Sequence, residues 1–148
     1  MPNLLLFVAC EKIIVANDNV ISLIALLQEI NVQLPSDVDG KLAPMNWTIL
    51  SIWERTTSDL GKSYEQKIAM HSSSNEVVFE TPLLPFEFQV ISPAMHLATQ
   101  HRTIGSTNLI PITPDEYSLK TWLREKGATD WGSELAHYPL KVNRINPS

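Results

Sequence analysis

The chain has 148 residues, a formal net charge of -5 and a pI near 5.3, a length that suits one domain. Charged residues make up only 18% of it, against about 25% in an ordinary soluble domain, a shortfall that favours association with a partner or a second copy. No run of Lys or Arg supplies the basic stripe of a nucleic-acid surface, and no stretch approaches the ~20 apolar residues of a membrane-spanning helix.

The first apolar run, Leu4-Leu5-Leu6-Phe7-Val8-Ala9-Cys10, opens a strand predicted over residues 3–15. Its end resembles a lipoprotein cleavage site in outline. Met1-Pro2-Asn3 carries no positive side chain, however, and the run is at the short limit of a signal segment, so no targeting segment is expected. Cys10 is the only cysteine, which rules out an intrachain disulfide. It reads as a small buried hydrophobe in a reducing, cytoplasmic compartment.

Asn17-Asp18-Asn19 predicts a turn joining this strand to a second over 19–32. Within that stretch Ile21, Ile24, Leu27 and Ile30 would also fit one face of a helix. The tight preceding turn favours a strand. Pro35-Ser36-Asp37 breaks the chain, and a short helix is allowed over 31–44. In the predicted strand 45–55, Met45, Trp47, Ile49, Ser51 and Trp53 share one face, while Thr48, Leu50 and Ile52 share the other. Trp47 and Trp53 are expected in the core. Asn46-Trp47-Thr48 has the form of a glycosylation sequon but falls inside this strand.

After Gly61-Lys62, Tyr64, Gln66, Ile68 and Met70 alternate with Glu65, Lys67, Ala69 and His71 over 63–71. Ser72-Ser73-Ser74-Asn75 reads as a solvated hairpin loop. Strands over 76–81, 86–91 and 95–102 are separated by turn signals at 82–85, with a short helix allowed over 92–99. Gly105-Ser106 and residues 111–114 mark further breaks. Over 115–124, Tyr117, Leu119, Thr121 and Leu123 form the next inward row. Tyr117 follows a Pro-containing turn. It reads equally as an ordinary strand tyrosine or as a structural corner that returns its hydroxyl to upstream backbone. Gly127 to Gly132 marks a further break, Trp122 and Trp131 flank the loop Glu125-Lys126-Gly127-Ala128-Thr129-Asp130, and a last strand covers 134–143.

Period-two alternation between such frequent turns predicts an all-β protein. The expected form is an antiparallel, immunoglobulin-like two-sheet sandwich of about seven to nine strands over residues 1–148. The N-terminal pattern, from Leu6-Phe7-Val8-Ala9-Cys10-Glu11-Lys12 through a polar turn into Ile21-Ser22-Leu23-Ile24-Ala25-Leu26-Leu27, resembles a group of small bacterial proteins of unknown function. Pro114-Asp115-Glu116-Tyr117-Ser118-Leu119 and Ala136-His137-Tyr138-Pro139-Leu140-Lys141-Val142 resemble that group's closing hairpin. The resemblance implies a single-domain, cytoplasmic, immunoglobulin-like sandwich and implies no activity. It has no counterpart for residues 82–103.

Chemistry-bearing motifs are sparse. His71, His96, His101 and His137 lack metal-ligand spacing, so no metal is expected. Cys10 has apolar flanks rather than the electropositive surroundings of a nucleophile. No Gly-x-Ser-x-Gly elbow or Gly-rich phosphate cradle occurs, so no catalytic or cofactor-binding residue is assigned. The expected function is a non-catalytic binding or assembly module acting through protein contacts or self-association. Trp131, Trp122 and Asp130 are the candidate interface, with an exposed sheet edge as a second one. Alternatives are a carbohydrate- or small-ligand-binding sandwich, and an enzyme with a site assembled from scattered histidines and carboxylates.

Overall fold

A computed structural model describes residues 1–16, 20–33, 42–88 and 99–145. Ten strands follow in order: β1 (Asn3–Val15), β2 (Ile21–Leu26), β3 (Glu29–Val32), β4 (Leu42–Glu54), β5 (Ser63–His71), β6 (Val77–Glu80), β7 (Leu84–Glu87), β8 (Gln100–Pro111), β9 (Asp115–Glu125) and β10 (Ala136–Arg144). A 3-10 turn, Thr57–Asp59, precedes β5. The predicted turn at 17–19, His96, the break at 35–37 and most of the 92–99 segment lie outside the described residues.

Two sheets form the sandwich. One has the order β2-β1-β4-β8; the other runs β3-β10-β9-β5-β6, with β7 also pairing β5. β4 and β8 are neighbours in the first sheet, and β5, β9 and β10 are successive neighbours in the second. They take the places of strands B and E, and of C, F and G, in an immunoglobulin-like sandwich. One pair departs from the antiparallel expectation: β3 runs parallel to β10, with Val142 opposite Ile30.

This parallel pair arises because the strand expected over 19–32 is divided. Leu27 N–H still donates to Ala9 of β1 at 3.0 Å, whereas the carbonyl of Gln28 accepts from Lys141 of β10 at 3.0 Å. The chain therefore leaves one sheet and enters the other between these two residues. Ala25, with φ 55°, supplies a left-handed backbone just before the crossing, a conformation uncommon outside glycine.

Gly105-Ser106 is no break. β8 continues through it, with Gly105 opposite Ile49 and Ser106 opposite Thr48. Gly105 faces the interior, where a Cβ would lie 3.5 Å from Leu84 Cδ1 and 3.7 Å from Ile68 Cδ1. A glycine inside a strand marks close approach of a neighbour as well as a turn, and here it marks approach by side chains of β5 and β7.

The inward rows meet as expected. Trp47, Ile49, Ile68, Met70, Leu119, Leu140 and Val142 form the main core. Trp53, Tyr64, Phe86, Phe88 and Leu123 form a second cluster. A buried polar network crosses between the sheets. The Gln66 amide donates to Ser51 Oγ at 2.7 Å and to Thr121 Oγ1 at 2.9 Å. Thr103 Oγ1 donates to Gln66 Oε1 and accepts from Trp53 Nε1. Every polar atom of the Gln66 amide is thereby engaged, which makes its burial tolerable. The Tyr117 hydroxyl donates to the Thr113 carbonyl at 2.7 Å, tying the start of β9 to the corner that leads into it.

Candidate functional site

Strand pairing fixes which side chains share each outer surface. On the six-stranded sheet, Lys67 lies opposite Trp122, and Glu65 opposite Arg124. The loop between β9 and β10 folds back over this surface. Lys67 Nζ lies 4.4 Å from the Trp122 ring centre and 5.0 Å from that of Trp131. The Arg124 guanidinium sits 4.0 Å over Trp131 and bonds Glu65 Oε2 through Nε at 2.9 Å. The two tryptophans are thus brought together through a shared lysine. Trp131 is half-buried, because its face covers two cations of its own sheet. Asp130 is exposed and takes no part in the ladder.

The outer surface of the four-stranded sheet has a different character. Val8 lies opposite Leu50, Leu6 opposite Ile52, and Cys10 opposite both Thr48 and Leu26. On the far side of β4, Leu50 faces Ile104. Ile24 and Ile14 extend the same surface along β2 and β1. An antiparallel sheet with one solvated face alternates apolar and polar side chains. Here the outward row is largely apolar on β1, β2 and β4, interrupted by Lys12 and Ser22, while β8 adds Ile104 between Arg102 and Ser106. Ile14, Ile24, Leu26 and Ile104 are 42%, 43%, 50% and 42% exposed. Leu50 and Cys10 lie buried among their neighbours. The sequence carries the signal in Thr48, Leu50 and Ile52, an outward row nearly as apolar as the inward one. β1 lies between β2 and β4, so its apolar character serves two faces rather than an exposed edge.

Among the described residues, no three His, Cys, Asp or Glu side chains are grouped to hold a metal ion. His71 lies 5.9 Å from Trp122 between ring centres; burial, with the Lys120 charge, lowers its pKa. His101 stacks on Phe86 at 4.9 Å, and burial lowers its pKa. Asp59 is fully buried at the end of the 3-10 turn. Burial alone would raise its pKa. Hydrogen bonds from the Tyr64 hydroxyl and from the Thr56 backbone and hydroxyl, with the Met1 amine at 3.3 Å, outweigh it and bring the value to about 2. These donors make Asp59 an anchor for the turn.

No protein-family model matches the chain, and no curated protein matches it. Among the described residues no helix is long and apolar enough to cross a membrane.

Proposed function

We propose that the chain is a non-catalytic assembly module that packs the outer face of its four-stranded sheet onto the same face of a second copy. The observation that carries this reading is the largely apolar outward row of β1, β2 and β4, continued onto β8 by Ile104. Contiguous exposed apolar surface of this kind marks interaction sites. Eight residues of rise along β1 and β4 cover roughly 27 Å, and three strands cover about 14 Å. That amounts to about 400 Å² per copy, or about 800 Å² in all, the scale of a weak, transient interface.

Charge on this face supports a second copy as the occupant. Lys12 projects between Cys10 and Ile14, opposite Ile24, and Glu54 projects at the far end of β4, opposite Gln100. Neither has an ion-pair partner among the described residues. A two-fold axis running across the strands sets Lys12 of each copy against Glu54 of the other. The buried thiol of Cys10 suits a reducing compartment such as the cytoplasm.

Sedimentation velocity across a concentration series tests the reading. The chain should show a concentration-dependent monomer–dimer equilibrium, and Ile104→Lys and Leu26→Lys should each abolish the dimer. Lys12→Glu should weaken it, and Lys12→Glu combined with Glu54→Lys should restore it. A chain that stays monomeric at every concentration would overturn the proposal.

A further inference from the structure

On the outer face of the six-stranded sheet, His71 lies between Val77 of β6 and Ser118 of β9, where the register of β5 against β6 shifts. Its ring centre is 5.9 Å from that of Trp122, at a tilt of 53°. Its Nδ1 is buried and has no hydrogen-bond partner among the described residues. A buried nitrogen left unpaired in a native fold calls for an explanation. The charged groups that face the imidazole are Lys67 of its own strand, Glu80 of β6, Lys120 of β9 and Glu134 of the loop between β9 and β10. His137 of β10 stands beyond them, opposite Lys120.

Two of those cations hold the β9–β10 loop, residues 126–135, on the sheet. Lys67 Nζ lies over the rings of both Trp122 and Trp131. Lys120 Nζ lies 4.0 Å from Glu134 Oε1 and donates to Asn75 Oδ1 at 2.9 Å. Every residue from 126 to 135 except Trp131 is exposed, so the loop has little packing of its own to keep it seated. We propose that His71 is a proton-operated release for this loop. An imidazolium here repels Lys120 and Lys67 and draws Glu134 away from Lys120, so both tethers weaken together. Burial, with the Lys120 charge, keeps the ring neutral while the loop is seated. Opening returns the ring to solvent and towards its ordinary pKa, so protons favour the open arrangement. The release acts on the sheet opposite the proposed dimer face, so loop exchange and sedimentation read the two proposals separately.

Amide hydrogen exchange of the whole chain, compared between about pH 7.5 and about pH 5 after correction for intrinsic rates, tests the release. Protection over residues 126–135 should fall at least about threefold at the lower pH, while that of β1 and β4 is unchanged. The Trp131 indole N–H shift should move with the same midpoint as the His71 ring protons, below 6.5. His71→Gln should leave loop protection independent of pH, and His137→Gln should keep the parent's response. Loop protection independent of pH in the parent, a response retained in His71→Gln or lost in His137→Gln, or an equal loss of protection in β1 and β4 would overturn the proposal. So would an indole midpoint apart from that of the His71 ring, a comparison that needs no variant.

Discussion

Gln66 of β5 and Ser51 of β4 face each other across the sandwich, with the amide donating to the hydroxyl at 2.7 Å inside a fully buried core. The contact joins the two sheets by a directional bond where the surrounding contacts are apolar and non-directional. It rests on a position the alternation places inward, although the residue type is polar. Removing the amide leaves Ser51 with no other hydrogen bond among the described residues and deprives Thr103 of its acceptor. Gln66→Leu should therefore lower stability by about 2–3 kcal/mol, because buried polar groups left unpaired cost about 1–3 kcal/mol. The urea midpoint measures this, and a midpoint equal to the parent's would show the network to be energetically idle.

Asp59 gives the acid limb of stability. Its folded pKa, about 2, lies below the ordinary 3.8, so the unfolded chain binds the proton more readily. The resulting stabilisation is complete above about pH 4 and is lost as pH falls towards 2, with a size of about 2 kcal/mol. Asp59→Asn should remove that part of the acid dependence and lower stability at neutral pH. Urea unfolding from pH 5 to 2 compares the two proteins.

The histidines act in a different window. Burial lowers the pKa of both His71 and His101, so the folded state holds them neutral. Stability is level above the ordinary histidine value near 6.5 and declines as pH falls below it. His101→Gln should reduce this decline. Ring proton shifts of the two histidines, followed by NMR, should titrate below 6.5, and a midpoint above 6.5 for either would reverse the sign.

Tyr117→Phe removes one hydroxyl and keeps the ring in the core. It deletes the bond to the Thr113 carbonyl, so a loss of about 1 kcal/mol is expected. Faster amide exchange should appear around residues 112–117, with β5 unaffected. Uniform exchange across the molecule would deny the corner a local role.

Trp131→Ala separates two possible assembly surfaces. The ring covers Lys67 and Arg124, and exposed cation–π contacts contribute about 0.5–1 kcal/mol each. The variant should lose about 1 kcal/mol and release the loop after β9, seen as faster exchange over residues 126–135. Assembly through the four-stranded face predicts unchanged sedimentation. Loss of the dimer would instead place the interface at the tryptophan ladder.

Much of the architecture was readable in side-chain alternation. β1 and β5 match their expected spans, 3–15 and 63–71, because a clean period of two leaves one register with a buried face. Trp47, Ile49, Ser51 and Trp53 point inward as their spacing requires. The helix alternative for 21–30 fails because its hydrophobic spacing is satisfied twice over, by β2 on one sheet and β3 on the other. Gly105 misled for a related reason. Glycine signals a turn and a close packing contact equally well, and the distinction depends on Leu84 and Ile68, distant in the chain. The outer-face row of Thr48, Leu50 and Ile52 was visible, but its continuation through Val8, Leu26 and Ile104 required the pairing of four strands.

What the sequence determined by itself was the class of fold, since alternation and turn residues act over a few neighbouring positions and need no knowledge of distant ones. Tertiary structure alone decided which strands are neighbours. Through that it decided that the outward apolar rows form one face and that Trp131 spends its ring on Lys67 and Arg124. Each of these joins residues tens of positions apart. Their proximity comes from closing the sandwich around its core, and no local preference encodes it.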